Sequence, residues 1–361
     1  MKCEVMKRNL YVLTVLVLLF GLLLYFGTAP TASAADNVWE IKYDGGGVGC
    51  LYDVAAVDAN TAWAVGINAN IGIIKTTDGG ANWQDQYTIG SGNCLFSVSA
   101  VNANTAWAVG GNLILKTTDG GLTWVNQYSG PTVNLYGVSA VDLNTAWAVG
   151  GGGTILKTTD GVHWTPQTSG TTVNLWDVSA VDANTAFVVG DDTILKTSNG
   201  GANWSRQYSG TLGWFASISA VDANNAYAAG GPVLKTTDGV NWVEAHPYDP
   251  ATYFMGISAP NANTAYATGT SGAIAKTTDG GANWVEQASG TQYNLFGVSA
   301  VNAKTAWAAG TPAIVLRIKG PRAPGCGTGG GMAVAMLGLT LGLLSVAGSR
   351  RIRKQLLMML Q

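Results

Sequence analysis

The stretch ILKTTDGGLTW, Ile114–Trp124, decides the fold because it recurs. Close copies read IIKTTDGGANW (Ile73–Trp83), ILKTSNGGANW (Ile194–Trp204) and IAKTTDGGANW (Ile274–Trp284). Shorter copies, TTDGVHW and TTDGVNW, end at Trp164 and Trp242. Six tryptophans therefore close the same phrase: Trp83, Trp124, Trp164, Trp204, Trp242 and Trp284. A second marker, one aromatic in each TAW-like segment, occurs seven times: Trp63, Trp107, Trp147, Phe187, Tyr227, Tyr266 and Trp307. Its intervals are 44, 40, 40, 40, 39 and 41 residues, and a period near 40 signals stacked supersecondary units.

The missing seventh copy of the first marker lies at the front. VWEIKYDGG (Val38–Gly46) resembles TWVNQYSG (Thr123–Gly130), and Trp39 stands 44 residues before Trp83. Each unit reads as four short strands, here LYGVSAV, TAWAVGG, TILKT and WTPQTSG between Leu135 and Gly170, separated by Asp, Asn and Gly turns. The expectation is an all-β, seven-bladed β-propeller of four-stranded antiparallel blades over residues 35–320. The N-terminal strand would complete the last blade beside AIVLRIKG (Ala313–Gly320) and protect its open edge.

With this place in the fold, TTDGGLTW (Thr117–Trp124) resembles the Asp-box, or BNR repeat, of sialidase-like propellers, and matches it at every position. The turn residues are Asp78, Asp119, Asp160, Asn199, Asp238 and Asp279. An aspartate there accepts backbone N–H groups, glycine supplies positive φ, and tryptophan packs into the blade. Six such turns spread around a ring cannot converge on one substrate, so they read as scaffold. Lys75, Lys116, Lys157, Lys196, Lys235, Lys276 and Arg317 recur with the same phrase and are expected to form a ring of solvated cations. The whole unit, SAVDANTAWAVG…ILKTTDGG, is most similar to the photosystem II assembly and stability factor family. That resemblance implies a non-enzymatic, membrane-associated, seven-bladed binder. The arginine-rich surface of that family is missing, since Arg206 and Arg317 are the only arginines between residues 35 and 320.

The same count excludes a sialidase, which needs three arginines around its substrate carboxylate. Two histidines, His163 and His246, leave no metal centre or Ser-His-Asp set, and no cofactor is expected. A formal net charge of −2 gives no reason to expect nucleic acid.

Function would show where the repeats differ. At the start of the first strands, around the mouth of the central channel, equivalent positions carry Cys50, Cys94, Asn134, Asn174, Trp214, Tyr253 and Asn294. Two residues on come Tyr52, Phe96, Tyr136, Trp176, Ala216, Met255 and Phe296, then Asp53 and Asp177 among Ser and Gly. Aromatics beside amides would suit a protein or glycan ligand. The alternative is a glycoside hydrolase or polysaccharide-binding propeller resembling Asp-box xyloglucanases, with Asp53 and Asp177 as acid and base; the plainer reading makes them inter-blade hydrogen-bond acceptors. Cys50 and Cys94, equivalent on neighbouring blades, are expected to form a disulfide.

The ends carry signals of their own. Lys2, Lys7 and Arg8, an apolar run Leu10–Phe26 and Ala32-Ser33-Ala34 read as an export signal over residues 1–34. Residues 321–331 read as a Gly/Pro-rich linker, 332–348 as a transmembrane helix and 349–361 as a basic cytoplasmic tail, an arrangement resembling bacterial C-terminal sorting signals. The expectation is an exported monomer anchored at the cell surface.

Overall fold

The computed structural model describes residues 38–318 apart from 69, 91–92, 129, 131–132 and 209–212. Seven four-stranded antiparallel sheets follow one another around an axis. Blades 1 to 6 begin with the inner strands Cys50–Ala56, Ser97–Ala100, Leu135–Ala140, Leu175–Ala180, Phe215–Ala220 and Phe254–Asn261. In blade 7 the strands Leu295–Asn302, Thr305–Gly310 and Ile314–Ile318 are joined on the outside by Trp39–Asp44 from the other end of the chain. The register is Trp39 opposite Ile318 and Asp44 opposite Ile314, with one bulge between Ile41 and Tyr43. The expected N-terminal closure is therefore present. The export, linker, anchor and tail segments expected at the two ends lie outside the described residues. Among the described residues no helix is long and apolar enough to cross a membrane.

The core lies between blades. Each of seven apolar clusters joins two neighbours; one packs Trp107, Val109 and Ile114 of blade 2 against Leu135, Val138 and Leu156 of blade 3. All seven TAW-type aromatics are fully buried at these seams. The Asp-box tryptophans belong to the same seams. Trp124 meets Trp63 of the preceding blade edge-on, with centroids 5.6 Å apart, and Trp204 meets Trp147 at 5.5 Å. The tryptophan expected to pack into its own blade thus bridges two.

The recurring cations are not solvated, contrary to expectation. Lys75, Lys116 and Lys157 are buried, and Lys196, Lys235 and Lys276 partly so. Each ammonium lies over the TAW aromatic of its own blade, at 4.1 Å for Lys75 over Trp63, and reaches into the next blade. Lys75 Nζ donates to Ala103 O at 2.7 Å and Gly120 O at 2.9 Å. Lys116 donates to Leu143 O and Gly161 O, Lys157 to Ala183 O and Gly200 O, and Lys196 to Ala223 O and Gly239 O. A buried ammonium needs acceptors, and these turn carbonyls supply them together with the ring face. Arg317 of blade 7 completes the circle by donating to Gly79 O of blade 1 at 3.3 Å.

The boxes hold those carbonyls in place. Thr76 Oγ1 donates to Asp78 Oδ1 and accepts the Gly80 N–H, while Asp78 Oδ1 and Oδ2 accept the N–H and side-chain amide of Asn82. Asn199 does the same work with its amide oxygen, accepting from Thr197 Oγ1 and Asn203 N–H. In the shortened copies the aspartate takes the N–H groups two and three residues on instead, Val162 and His163 at Asp160. Gly121, at φ +95°, sits so close to the preceding blade that a Cβ would meet the Trp63 ring at 2.8 Å. A second link runs nearer the axis: the Ser99 hydroxyl accepts the Ala140 N–H of the next blade at 3.0 Å, and Ser139, Ser179, Ser219, Ser258 and Ser299 repeat it.

Replacing Lys116 by methionine keeps the stem but leaves the Leu143 and Gly161 carbonyls without their charged donor. Chemical denaturation should register a loss of about 2 kcal/mol, against less than about 0.5 kcal/mol for the exposed Lys304→Met. Trp39 is buried, donates its indole N–H to Gln287 Oε1 at 2.9 Å and meets Tyr266 edge-on. Trp39→Ala should cost about 3–5 kcal/mol on the same measurement, and a value near zero would show that the closing strand is dispensable.

Candidate functional site

At the channel mouth the inner strands begin, and the repeats stop being alike. The two-on positions form an aromatic arc in the order Phe296, Tyr52, Phe96, Tyr136, Trp176. Successive centroids lie 5.4, 5.3, 5.7 and 4.5 Å apart. Blade 5 carries Ala216 in this place, and Trp214 fills the space, 6.1 Å from Trp176. Met255 closes the circle of lining side chains around a pocket of 360 Å³, whose deeper wall includes Asp53, Ser97, Asp177, Ser217 and Val298.

The structure brings together Tyr136, Trp176, Trp214, Asp53 and Asp177 from the residues expected at the mouth. The amide positions stand outside this pocket and serve the rim backbone. Asn174 Oδ1 accepts the Gly152 N–H and Asn294 Oδ1 the Ser271 N–H. The Asn134 carbonyl accepts the Gly151 N–H. Tyr253 belongs to the 247–253 loop, where its hydroxyl shares a 2.8 Å hydrogen bond with Tyr248. A larger groove of 720 Å³ runs beside that loop, between His246 of blade 5 and the outer part of blade 6.

The disulfide expectation is overturned: Cys50 and Cys94 are free thiols. Equivalent positions on neighbouring blades are related by rotation about the axis. Rotation alone therefore does not turn their side chains towards one another. Cys50 Sγ donates to Thr311 Oγ1 of blade 7 at 3.8 Å, on the side away from Cys94.

Asp53 and Asp177 occupy matching environments three blades apart. Asp53 Oδ1 accepts the Val54 N–H, and Oδ2 accepts the Ser97 hydroxyl and the Val98 N–H of blade 2. Asp177 repeats this with Val178, Ser217 and Ile218. Glycine precedes each in the ring, because a Cβ on Gly297 or Gly137 would meet the aspartate Cα of the next blade at 2.8 Å. This Gly–Asp–Ser order around the ring, twice in seven blades, is the signal that reading along the chain missed.

Burial pushes the Asp53 carboxyl up to about 7, with a smaller push from Asp177, while the N–H groups of Val98 and Val54 and the Ser97 hydroxyl pull it down. Burial likewise raises Asp177 to about 6 against its three donors. Tyr52 is raised to about 12, chiefly by burial and then by the neighbouring thiols. The Asp-box aspartates shift the other way. The Asn82 backbone and side-chain donors hold Asp78 at about 2, and Thr123 does the same for Asp119.

Asp53 and Asp177 together give the folded state more bound protons than the unfolded chain between about pH 4 and pH 7, so their contribution falls as pH rises through that window. The box aspartates contribute stability above the ordinary carboxylate range that is lost as pH falls towards 2. Melting temperature should therefore rise as pH is lowered from 7 to about 4.5, then fall below about pH 3.5. Carboxyl ¹³C titrations should show two aspartates with midpoints near 7 and 6; midpoints below 5 for every aspartate would refute this.

Among the described residues no group of three or more His, Cys, Asp or Glu could hold a metal ion. No curated protein matches the chain. The structure of YCF48 bound to a D1 peptide superposes with a TM-score of 0.64 at 20% identity, covering 78% of this chain and 97% of the other. YCF48 from Cyanidioschyzon merolae gives 0.60 at 18% identity, over 78% and 98%. A streptogramin B lyase gives 0.68 at 16% identity, over 79% and 99%, so enzymes share the fold. The family model described as photosynthesis system II assembly factor YCF48 matches residues 32–128 and 161–286, more than half of the chain. With that match lying on the repeats themselves, the chain belongs to the YCF48 family of assembly-factor propellers.

Proposed function

We propose that the chain is a non-enzymatic, protein-binding propeller, assembly-factor-like in action, that receives a segment of a partner polypeptide at its channel mouth. The observation that carries this is the aromatic arc. Equivalent positions of the inner strands differ here, and six of the differing side chains are rings gathered around one pocket. Such rings give contact area at small entropic cost and favour segments that insert a side chain. The structure of YCF48 bound to a D1 peptide supports a peptide ligand.

The export signal over residues 1–34 and the apolar segment 332–348 followed by Arg350–Lys354 support a propeller held outside the cytoplasm on a membrane anchor. A partner would then be another envelope or membrane protein. A glycan is the second reading, favoured by the 4.5 Å Tyr136–Trp176 pair, whose faces suit a sugar ring. Hydrolysis is not favoured: Oδ2 of Asp53 and of Asp177 already joins its inner strand to that of the next blade, and Oδ1 accepts the following N–H of its own strand.

Cross-linking capture from the envelope of cells producing the full chain tests the proposal. The double variant Tyr136→Ala/Trp176→Ala should lose at least about tenfold of the captured partner, consistent with stacking pairs worth about 0.5–1.5 kcal/mol each beyond their buried area. Undiminished capture by a folded double variant would overturn the proposal. Binding on a glycan array, lost in that variant, would favour the second reading. Turnover lost in Asp53→Asn or Asp177→Asn would establish a hydrolase.

A further inference from the structure

We infer that the occupant of the channel-mouth pocket is a basic side chain, a lysine ammonium or arginine guanidinium carried on the partner polypeptide. Its stem would lie along the aromatic arc and its charge would face Asp53 and Asp177. The inference rests on the protein-binding reading above and gives it a chemical class.

Charge complementarity argues for it. The lining residues of the 360 Å³ pocket include two aspartates and no lysine, arginine or histidine. Its other titratable members are Tyr52 and Tyr136, with the Cys50 and Cys94 thiols beside Tyr52, and none of these brings positive charge. A further carboxylate stands at the rim, where Asp191 Oδ1 accepts the Trp176 indole N–H at 2.8 Å. The seven recurring cations are tied elsewhere. Each Nζ, and the Arg317 guanidinium, is committed to the turns between first and second strands or to the Asp-boxes. The inner strands run from the mouth towards those turns, which lie at the opposite end of the channel.

The walls suit a cation as well as the floor does. Aromatic faces attract ammonium and guanidinium groups through their quadrupole, more strongly when water is excluded. They also accept the methylene stem that a basic side chain lays along apolar surface. Oδ2 of each aspartate takes two donors, whereas Oδ1 takes one backbone N–H, so Oδ1 keeps capacity for a further donor. Without a cation, burial leaves both carboxyls easily protonated. An arriving positive charge would favour their ionised forms and expel protons, which ties affinity to pH.

The test uses the full chain and four twelve-residue peptides that differ only at the central residue: lysine, arginine, norleucine or glutamate. Calorimetry at pH 8 should show the lysine and arginine peptides binding at least about tenfold more tightly than norleucine, with glutamate weaker still. At pH 5 the basic peptides should lose at least about tenfold, as the aspartates take up protons. Ala216→Lys would bring a tethered ammonium into the pocket that Ala216 lines and should abolish binding. Ala216→Met, which adds similar bulk without charge, should retain it. Neither variant touches the aspartates or the links between blades.

Equal binding of norleucine and lysine peptides, lost in Tyr136→Ala/Trp176→Ala, would overturn the cationic occupant and leave the protein-binding reading standing. Lysine binding that is as tight at pH 5 as at pH 8, or that survives Ala216→Lys, would overturn it as well. Failure of all four peptides, with envelope capture still dependent on Tyr136 and Trp176, overturns the inference alone; failure of capture too removes both.

Discussion

A buried ammonium cannot be left without acceptors, and in this molecule its own blade does not provide them. Lys75, Lys116, Lys157 and Lys196 each spend their charge on two carbonyls of the following blade, under which their own aromatic ring lies as a third partner. Charge-assisted hydrogen bonds of this kind are stronger than neutral ones, and removing one side leaves the other desolvated. No blade is complete alone, because each fixes its neighbour's turns and is fixed in return. The Asp-box follows from this. It is the device that holds Gly120, Gly161, Gly200 or Gly239 where a lysine from next door can reach its carbonyl. The sequence after Arg317 carries no such box, and among the described residues Lys276 donates to one carbonyl, Ala303 O.

The period, the blade count and the closing strand were legible in the sequence because side chains carry them. Trp39 sits one repeat upstream of Trp83, and nothing but a missing outer strand explains an extra copy at that distance. The clamp was not legible. Its acceptors are backbone carbonyls, which have no letter in the sequence, so a lysine recurring with Asp and Gly reads as one more surface charge. The cysteines show a different blind spot. Equivalence in a repeat implies proximity but not a bond, and Cys50 is engaged with Thr311 of blade 7 on the side away from Cys94. The mouth residues were half legible. Their divergence from the repeat marked the place, but not which would converge. Asn134, Asn174 and Asn294 turned out to serve the rim, while Ala216 mattered as a gap that Trp214 fills. The Gly–Asp–Ser order is visible only when positions 40 residues apart are read around the circle.

Scaffold and site therefore use opposite kinds of residue. What repeats is structural: box aspartates, lysines, serines and buried aromatics. The aromatic departures of the inner strands gather around the pocket at one end of the channel. Propellers of this shape serve peptide binders and lyases alike, so the fold alone assigns no activity. Asp53 and Asp177 belong to both classes, joining blades with their oxygens while lending the pocket its sign.

The serine links nearer the axis are not evenly distributed. Six junctions have one, whereas between blades 1 and 2 the corresponding residue of the inner strand is Ala55. That seam leans on Asp53 and Lys75. The blade that shuts the circle, though its strands come from both ends of the propeller, has its serine. The joints of the ring are thus fastened by different means, a carboxylate between blades 1 and 2 and a hydroxyl where the circle shuts.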